Sequence, residues 1–83
     1  MNNTYKLESI YSTQKSFYGK ARVRELRNGS KVLYSYDTLV CGIDENNSIG
    51  FVEYHSQTTA KNINEFLMQN GHDKMTKKEI ENF

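Results

Sequence analysis

Asn28-Gly29 stands between Leu26 and the apolar pair Val32-Leu33. Asn-Gly flanked by apolar residues is the strongest short-range signal for a β-hairpin, because a two-residue type I′ turn needs φ > 0 at both central positions. A hairpin there fixes two antiparallel strands. In the upstream one, residues 17–26, Lys20, Arg22 and Arg24 alternate with Ala21 and Val23. Strand side chains alternate between faces, so three cations share one face and small apolar groups the other. Downstream, residues 31–43 are rich in Val, Leu and Tyr and read as one long strand, with Asp37 marking a bulge. Residues 5–11, with Tyr5, Leu7 and Tyr11 near period 2, supply a further strand. Residues 49–54 supply the last, after the polar turn cluster at 44–48. The expected sheet is a four-stranded antiparallel meander.

The periodicity changes after residue 55. Ala60, Ile63, Phe66 and Leu67 fall on one face of a helix, while Asn62, Glu65 and Gln69 fall elsewhere and are expected to stay wet. Ser56 or Thr58 can cap its start, and Asn70-Gly71 stops it, with Gly71 free to turn left-handed. Thr76-Lys77-Lys78-Glu79 is a capping box, with Met75 and Ile80 at the staple positions around it. A short terminal helix over 77–82 follows, too short to hold without docking Ile80 and Phe83. The fold class is α+β: the meander, then one main C-terminal helix and a short terminal helix. One helix covers one sheet face and leaves the other open. Which face it covers is not decided by the pattern, because residues 31–43 are apolar on both parities.

At 83 residues the chain is a single small domain, 1–83. A domain this size buries only about 60% of its unfolded surface, so its core is thin. That leaves room for a homodimer, which would bury a sheet face or edge. One Cys forms no internal disulfide, and Met1-Asn2-Asn3-Thr4 lacks the basic start and apolar run of a signal peptide. A cytoplasmic location is expected, with no membrane span. The bias toward Asn, Lys, Tyr, Ile and Phe over Ala, Gly, Arg, Pro and Trp points to an AT-rich genome.

The net charge of +1 hides a segregation. Residues 1–31 carry seven Lys or Arg and two Glu, residues 32–60 carry four acids and no base, and residues 61–83 carry four of each. Bulk polycation binding is excluded, whereas a local basic face is not.

Catalytic and metal chemistry find little support. Cys41, His55 and His72 match no zinc spacing. Asp44, Asn46 and Ser48 begin like a calcium loop, but Ile49 and His55 stand where Gly and Glu are required. Cys41 with His55 would need a positive environment to form a thiolate, and residues 32–60 have no cation. No glycine-rich phosphate loop is present. The expectation is a non-enzyme with no catalytic residue, no metal and no cofactor.

The basic strand is the best binding candidate. Lys20, Arg22 and Arg24 project from one face, Tyr18 shares their parity, and Tyr34 and Tyr36 on the next strand join it. Cations interleaved with aromatics suit single-stranded nucleic acid, where bases stack and phosphates pair. Tyr and Arg on an uncovered face equally suit a protein partner. The plainer alternative is a solvated face whose cations pair with acids such as Asp37 or Glu53.

Residues 36–40, Tyr36-Asp37-Thr38-Leu39-Val40, followed by residues 54–67, from Tyr54-His55-Ser56-Gln57 to Glu65-Phe66-Leu67, resemble a family of small uncharacterised proteins from phages and mobile elements of low-GC Gram-positive bacteria. The resemblance covers most of residues 10–70. It implies an accessory factor that binds and redirects a host protein, as anti-CRISPR and other anti-defence inhibitors do, in the host cytoplasm. It carries over no catalytic residue. The leading expectation is a host-protein binder, and the alternative is a nucleic-acid-binding module built on residues 20–24.

Overall fold

The computed structural model describes residues 3–8, 10–11 and 20–83. Five strands form one antiparallel sheet in sequence order: β1 (Asn3–Lys6), β2 (Ala21–Glu25), β3 (Lys31–Ser35), β4 (Thr38–Ile43) and β5 (Ile49–Val52). Two helices follow, α1 (Gln57–Gln69) and α2 (Lys77–Glu81). The α+β class and the element order match the expectation, with one strand more.

The extra strand comes from splitting the long 31–43 run. Tyr36 (φ 53°) and Asp37 (φ 70°) are both left-handed, and Ser35 pairs with Thr38. This is a two-residue hairpin of the primed kind, made by Tyr-Asp rather than Asn-Gly. A bulge then sets β4 back in phase: Leu33 pairs with Cys41 and Tyr34 with Leu39, so Val40 is the additional residue. Val40 and Cys41 are both buried. The turn and the bulge each invert the parity, which is why residues 31–43 are apolar on both.

Asn28-Gly29 does form a hairpin, but a wider one. The Leu26 N–H donates to the Ser30 carbonyl (2.9 Å), the Gly29 N–H donates to the Leu26 carbonyl (3.1 Å), and Gly29 alone is left-handed at φ 92°. This is a three-residue loop with a glycine bulge, and Asn28 uses its side chain instead, accepting from the Ser30 N–H at 3.0 Å. The β4–β5 loop repeats the design, with Asn47 (φ 66°) in the left-handed place and Asp44 accepting from the Asn46 and Ser48 N–H groups, both at 2.9 Å.

Helix α1 is capped by Ser56, whose hydroxyl accepts from the Thr59 N–H at 3.2 Å. At its other end the His72 N–H reaches the Leu67 carbonyl and the Gly71 N–H the Met68 carbonyl, a Schellman motif with Gly71 at φ 82°. Ile63, Phe66 and Leu67 pack onto Ala21, Val23, Leu33, Val40, Cys41, Ile43 and Val52. Helix α2 has the expected capping box, Thr76 with Glu79, and docks by Ile80, while Phe83 stays exposed.

Two polar residues depart from expectation. Asn62 and Glu65 are fully buried, not wet. Asn62 lies toward the sheet and donates to the Ser35 hydroxyl at 3.0 Å. Glu65 lies nearly opposite Ile63 on the helix, where the backbone of Ile10 and Tyr11 meets it. Its carboxyl oxygens accept from the Ile10 N–H (3.2 Å), the Tyr11 N–H (3.0 Å) and the Gln69 side-chain amide (2.6 Å). Gln69 also donates to the Glu8 carbonyl at 2.6 Å. Helix α1 is thus held between the sheet and the backbone of Glu8, Ile10 and Tyr11.

Candidate functional site on the open sheet face

The register assigns each strand residue to a face. Opposite the helix, one cross-strand row runs Lys6, Arg22, Tyr34, Leu39, and the next runs Thr4, Arg24, Val32, Gly42, Phe51. None of these residues belongs to the core cluster that α1 packs into. The cations stand on β1 and β2 and the apolar groups on β3 to β5, so the open face has a basic half beside an apolar half.

Lys20, Arg22 and Arg24 do share this face with Tyr34, as their parity predicts. Arg22 and Arg24 lie about 6.6 Å apart along β2, from the strand rise. Tyr34 is directly opposite Arg22, and Thr4 directly opposite Arg24. Lys20 precedes β2, and its ammonium sits 5.4 Å from the Tyr36 ring centroid, a cation–π contact at an exposed turn. Tyr18 lies outside the described residues, as does Lys15. Lys31 falls on the helix side, where it bonds Asn70 Oδ1 at 2.9 Å and lies 3.9 Å from Glu25.

The Arg22 guanidinium pairs with the Asp37 carboxylate from the Tyr36-Asp37 turn. Both are open to solvent, with side chains 43% and 83% exposed, so the pair is worth at most about 1 kcal/mol. Among the described residues no acid or acceptor engages Arg24. Thr4, Arg22, Arg24, Tyr34 and Asp37 surround a shallow concavity of about 440 Å³. Across the sheet, Phe51 lies flat over Gly42: a Cβ at that glycine would come within 2.5 Å of the ring. Gly42 therefore lets the aromatic ring lie against the sheet surface.

Sequence reasoning missed Thr4, Lys6, Leu39 and Phe51 on this face. Thr4 and Lys6 carry the period-2 signal. Leu39 and Phe51 could be assigned only with the turn at 36–37 and the bulge at Val40 known.

Cys41 and His55 do not form a site. Cys41 is buried under α1, and burial pushes its thiol up to about 12. His55 lies on the surface, 3.4 Å from Glu53. Among the described residues no group of His, Cys, Asp and Glu is arranged to hold a metal ion, and no helix is long and apolar enough to cross a membrane.

Fold and face together define a small α+β domain whose antiparallel sheet, among the described residues, is covered by a helix on one side only. The chain belongs to a family of unknown function, DUF8033, whose model matches residues 5–82. No curated protein and no solved structure matches it significantly.

Proposed function

We propose that this is a non-enzymatic, phage-type accessory protein that works in the cytoplasm of a host bacterium. It binds a host protein, a defence component such as a CRISPR nuclease, and occludes it with the open sheet face. The observation that carries this reading is the uncovered face itself, where Arg22, Arg24 and Tyr34 adjoin Val32, Leu39 and Phe51. Arg and aromatic residues beside aliphatic ones are the usual anchors of protein interfaces. The resemblance to small phage proteins supports a host target. The buried Cys41 thiol, kept protonated by its surroundings, supports a role without nucleophilic chemistry.

The test is a bacterium immunised by CRISPR against a plated phage. Expressing the wild-type chain is expected to restore plaque formation. Arg22→Ala/Arg24→Ala/Leu39→Ala, checked for native far-UV circular dichroism, is expected not to restore it. Equal plating with the wild type, the variant and an empty vector counts against the inhibitor reading.

A second reading, a nucleic-acid-binding module, is favoured by Lys6, Lys20, Arg22 and Arg24 interleaved with Tyr34 and Tyr36. Asp37 weighs against it, since a carboxylate in the cation row repels phosphate. If it holds, binding to a single-stranded oligonucleotide falls steeply with salt, and Arg22→Ala/Arg24→Ala flattens the slope.

A further inference from the structure

The geometry points to a carboxylate-binding subsite in the concavity of the open face, filled in the free protein by the chain's own Asp37 and, on docking, by an Asp or Glu side chain of the protein partner. This rests on the protein-docking reading of the face and names the chemistry of what docks there. Four side chains that carry donors line the concavity, Thr4, Arg22, Arg24 and Tyr34. Asp37 is the one acid among the described residues that line it, and it already shows how a carboxylate is held, on the Arg22 guanidinium. Arg24, without an ion pair or hydrogen bond among the described residues, is the vacant half of the pair. A guanidinium presents a planar fork matched to two carboxylate oxygens.

Asp37 is a poor permanent occupant. Its side chain is 83% exposed, so its hold on Arg22 is weak. A partner acid can therefore displace it at small cost, and the freed Asp37 swings to solvent. The surroundings select a protein segment over a nucleic acid. Val32, Leu39 and Phe51 continue the surface on one side, offering burial to aliphatic side chains that a polyphosphate backbone lacks. The partner segment suited to this face alternates acidic and apolar residues.

Amide and arginine side-chain resonances followed during titration give the test. The probes are a short peptide alternating Glu with Leu, its Gln counterpart, and a single-stranded oligonucleotide of the same charge. The Glu peptide is expected to bind saturably, shifting Thr4, Arg22, Arg24 and Tyr34, with the Gln peptide and the oligonucleotide weaker. Arg24→Ala is expected to weaken the Glu peptide about tenfold. Arg24→Lys keeps the charge without the fork and is expected to fall between. Asp37→Asn, which keeps a residue tolerant of the left-handed turn, is expected to tighten it about threefold, the size of a weak exposed ion pair. Equal affinity for the Glu and Gln peptides, no gain from Asp37→Asn, or an oligonucleotide that binds as tightly as the Glu peptide overturns the subsite. If a host protein binds wild type, Arg24→Ala and Asp37→Asn equally but is lost with Leu39→Ala, docking at this face stands and the carboxylate subsite alone fails.

Discussion

Cys41 is enclosed between the sheet and α1, and burial moves its thiol from an ordinary 9.0 up to about 12. The folded protein therefore keeps a proton that the unfolded chain releases above pH 9. Stability from this group is fully present below pH 9 and is lost as the pH rises toward 12, with a slope approaching about 1.4 kcal/mol per pH unit. Tyr5, raised by its own burial and by Glu25, adds loss in the same direction above pH 10. Urea midpoints measured across this range should fall for the wild type and fall less for Cys41→Ala; parallel curves would show that Cys41 is not the source. Glu65 makes a second residue-scale prediction. Removing its carboxyl group leaves the Ile10 and Tyr11 N–H groups without that acceptor, and Glu65→Ala should cost about 3 kcal/mol in urea unfolding and speed amide exchange at Ile10 and Tyr11. An unchanged midpoint would mean that Ile10 and Tyr11 add nothing to the hold on α1. Glu65 could not be read as buried from its own helix. Its angular position is that of a wet residue, and only the chain segment laid across the back of α1 encloses it.

Among the elements, the β3–β4 hairpin is the one that departs from its local chemistry. Its turn places Tyr36 and Asp37 in left-handed conformations that cost a non-glycine residue roughly 1–2 kcal/mol each. Strain of this sort persists where a surrounding structure over-determines it, and it clusters at functional sites. Here it presents Tyr36 under Lys20 and Asp37 to Arg22. Tyr36→Asn/Asp37→Gly should therefore stabilise the fold by about 1–2 kcal/mol, raising the melting temperature by several degrees. A variant that melts lower would show that the side-chain contacts outweigh the backbone strain. The same turn explains what the sequence concealed. Helix α1 with its Ser56 cap, the Gly71 stop and the α2 capping box were all legible, because each rests on contacts a few residues apart. The split of residues 31–43 was not, because Tyr-Asp carries no turn signature and the bulge at Val40 restores the phase downstream. Asn28-Gly29 announced a hairpin correctly but the wrong loop, since the Asn28 side chain bonds the Ser30 N–H and Gly29 alone takes the left-handed position.

Among the described residues the sheet is asymmetric: one face is sealed by α1, and no helix covers the other. Phe66 shows how little reserve the sealed side has. Domains of this size are stable by roughly 4–12 kcal/mol, and Phe66→Ala, emptying a site that is 1% exposed, should cost about 3–5 kcal/mol and leave much of the chain unfolded at 37 °C. The basic strand was legible as one side of a sheet, because alternation alone puts Lys20, Arg22 and Arg24 together. Its neighbours Thr4, Leu39 and Phe51 were not, because they reach it only through the register of five strands. A partner is expected to sit on that open face. Amide hydrogen exchange of the chain, alone and with a host protein that it captures from a bacterial lysate, tests this most directly. Binding at the open face predicts slowed exchange along β2 to β4, centred on Arg22, Arg24, Val32, Tyr34 and Leu39. Slowed exchange confined to the exposed side of α1, around Gln57, Thr58 and Lys61, with β2 to β4 unchanged, would contradict it.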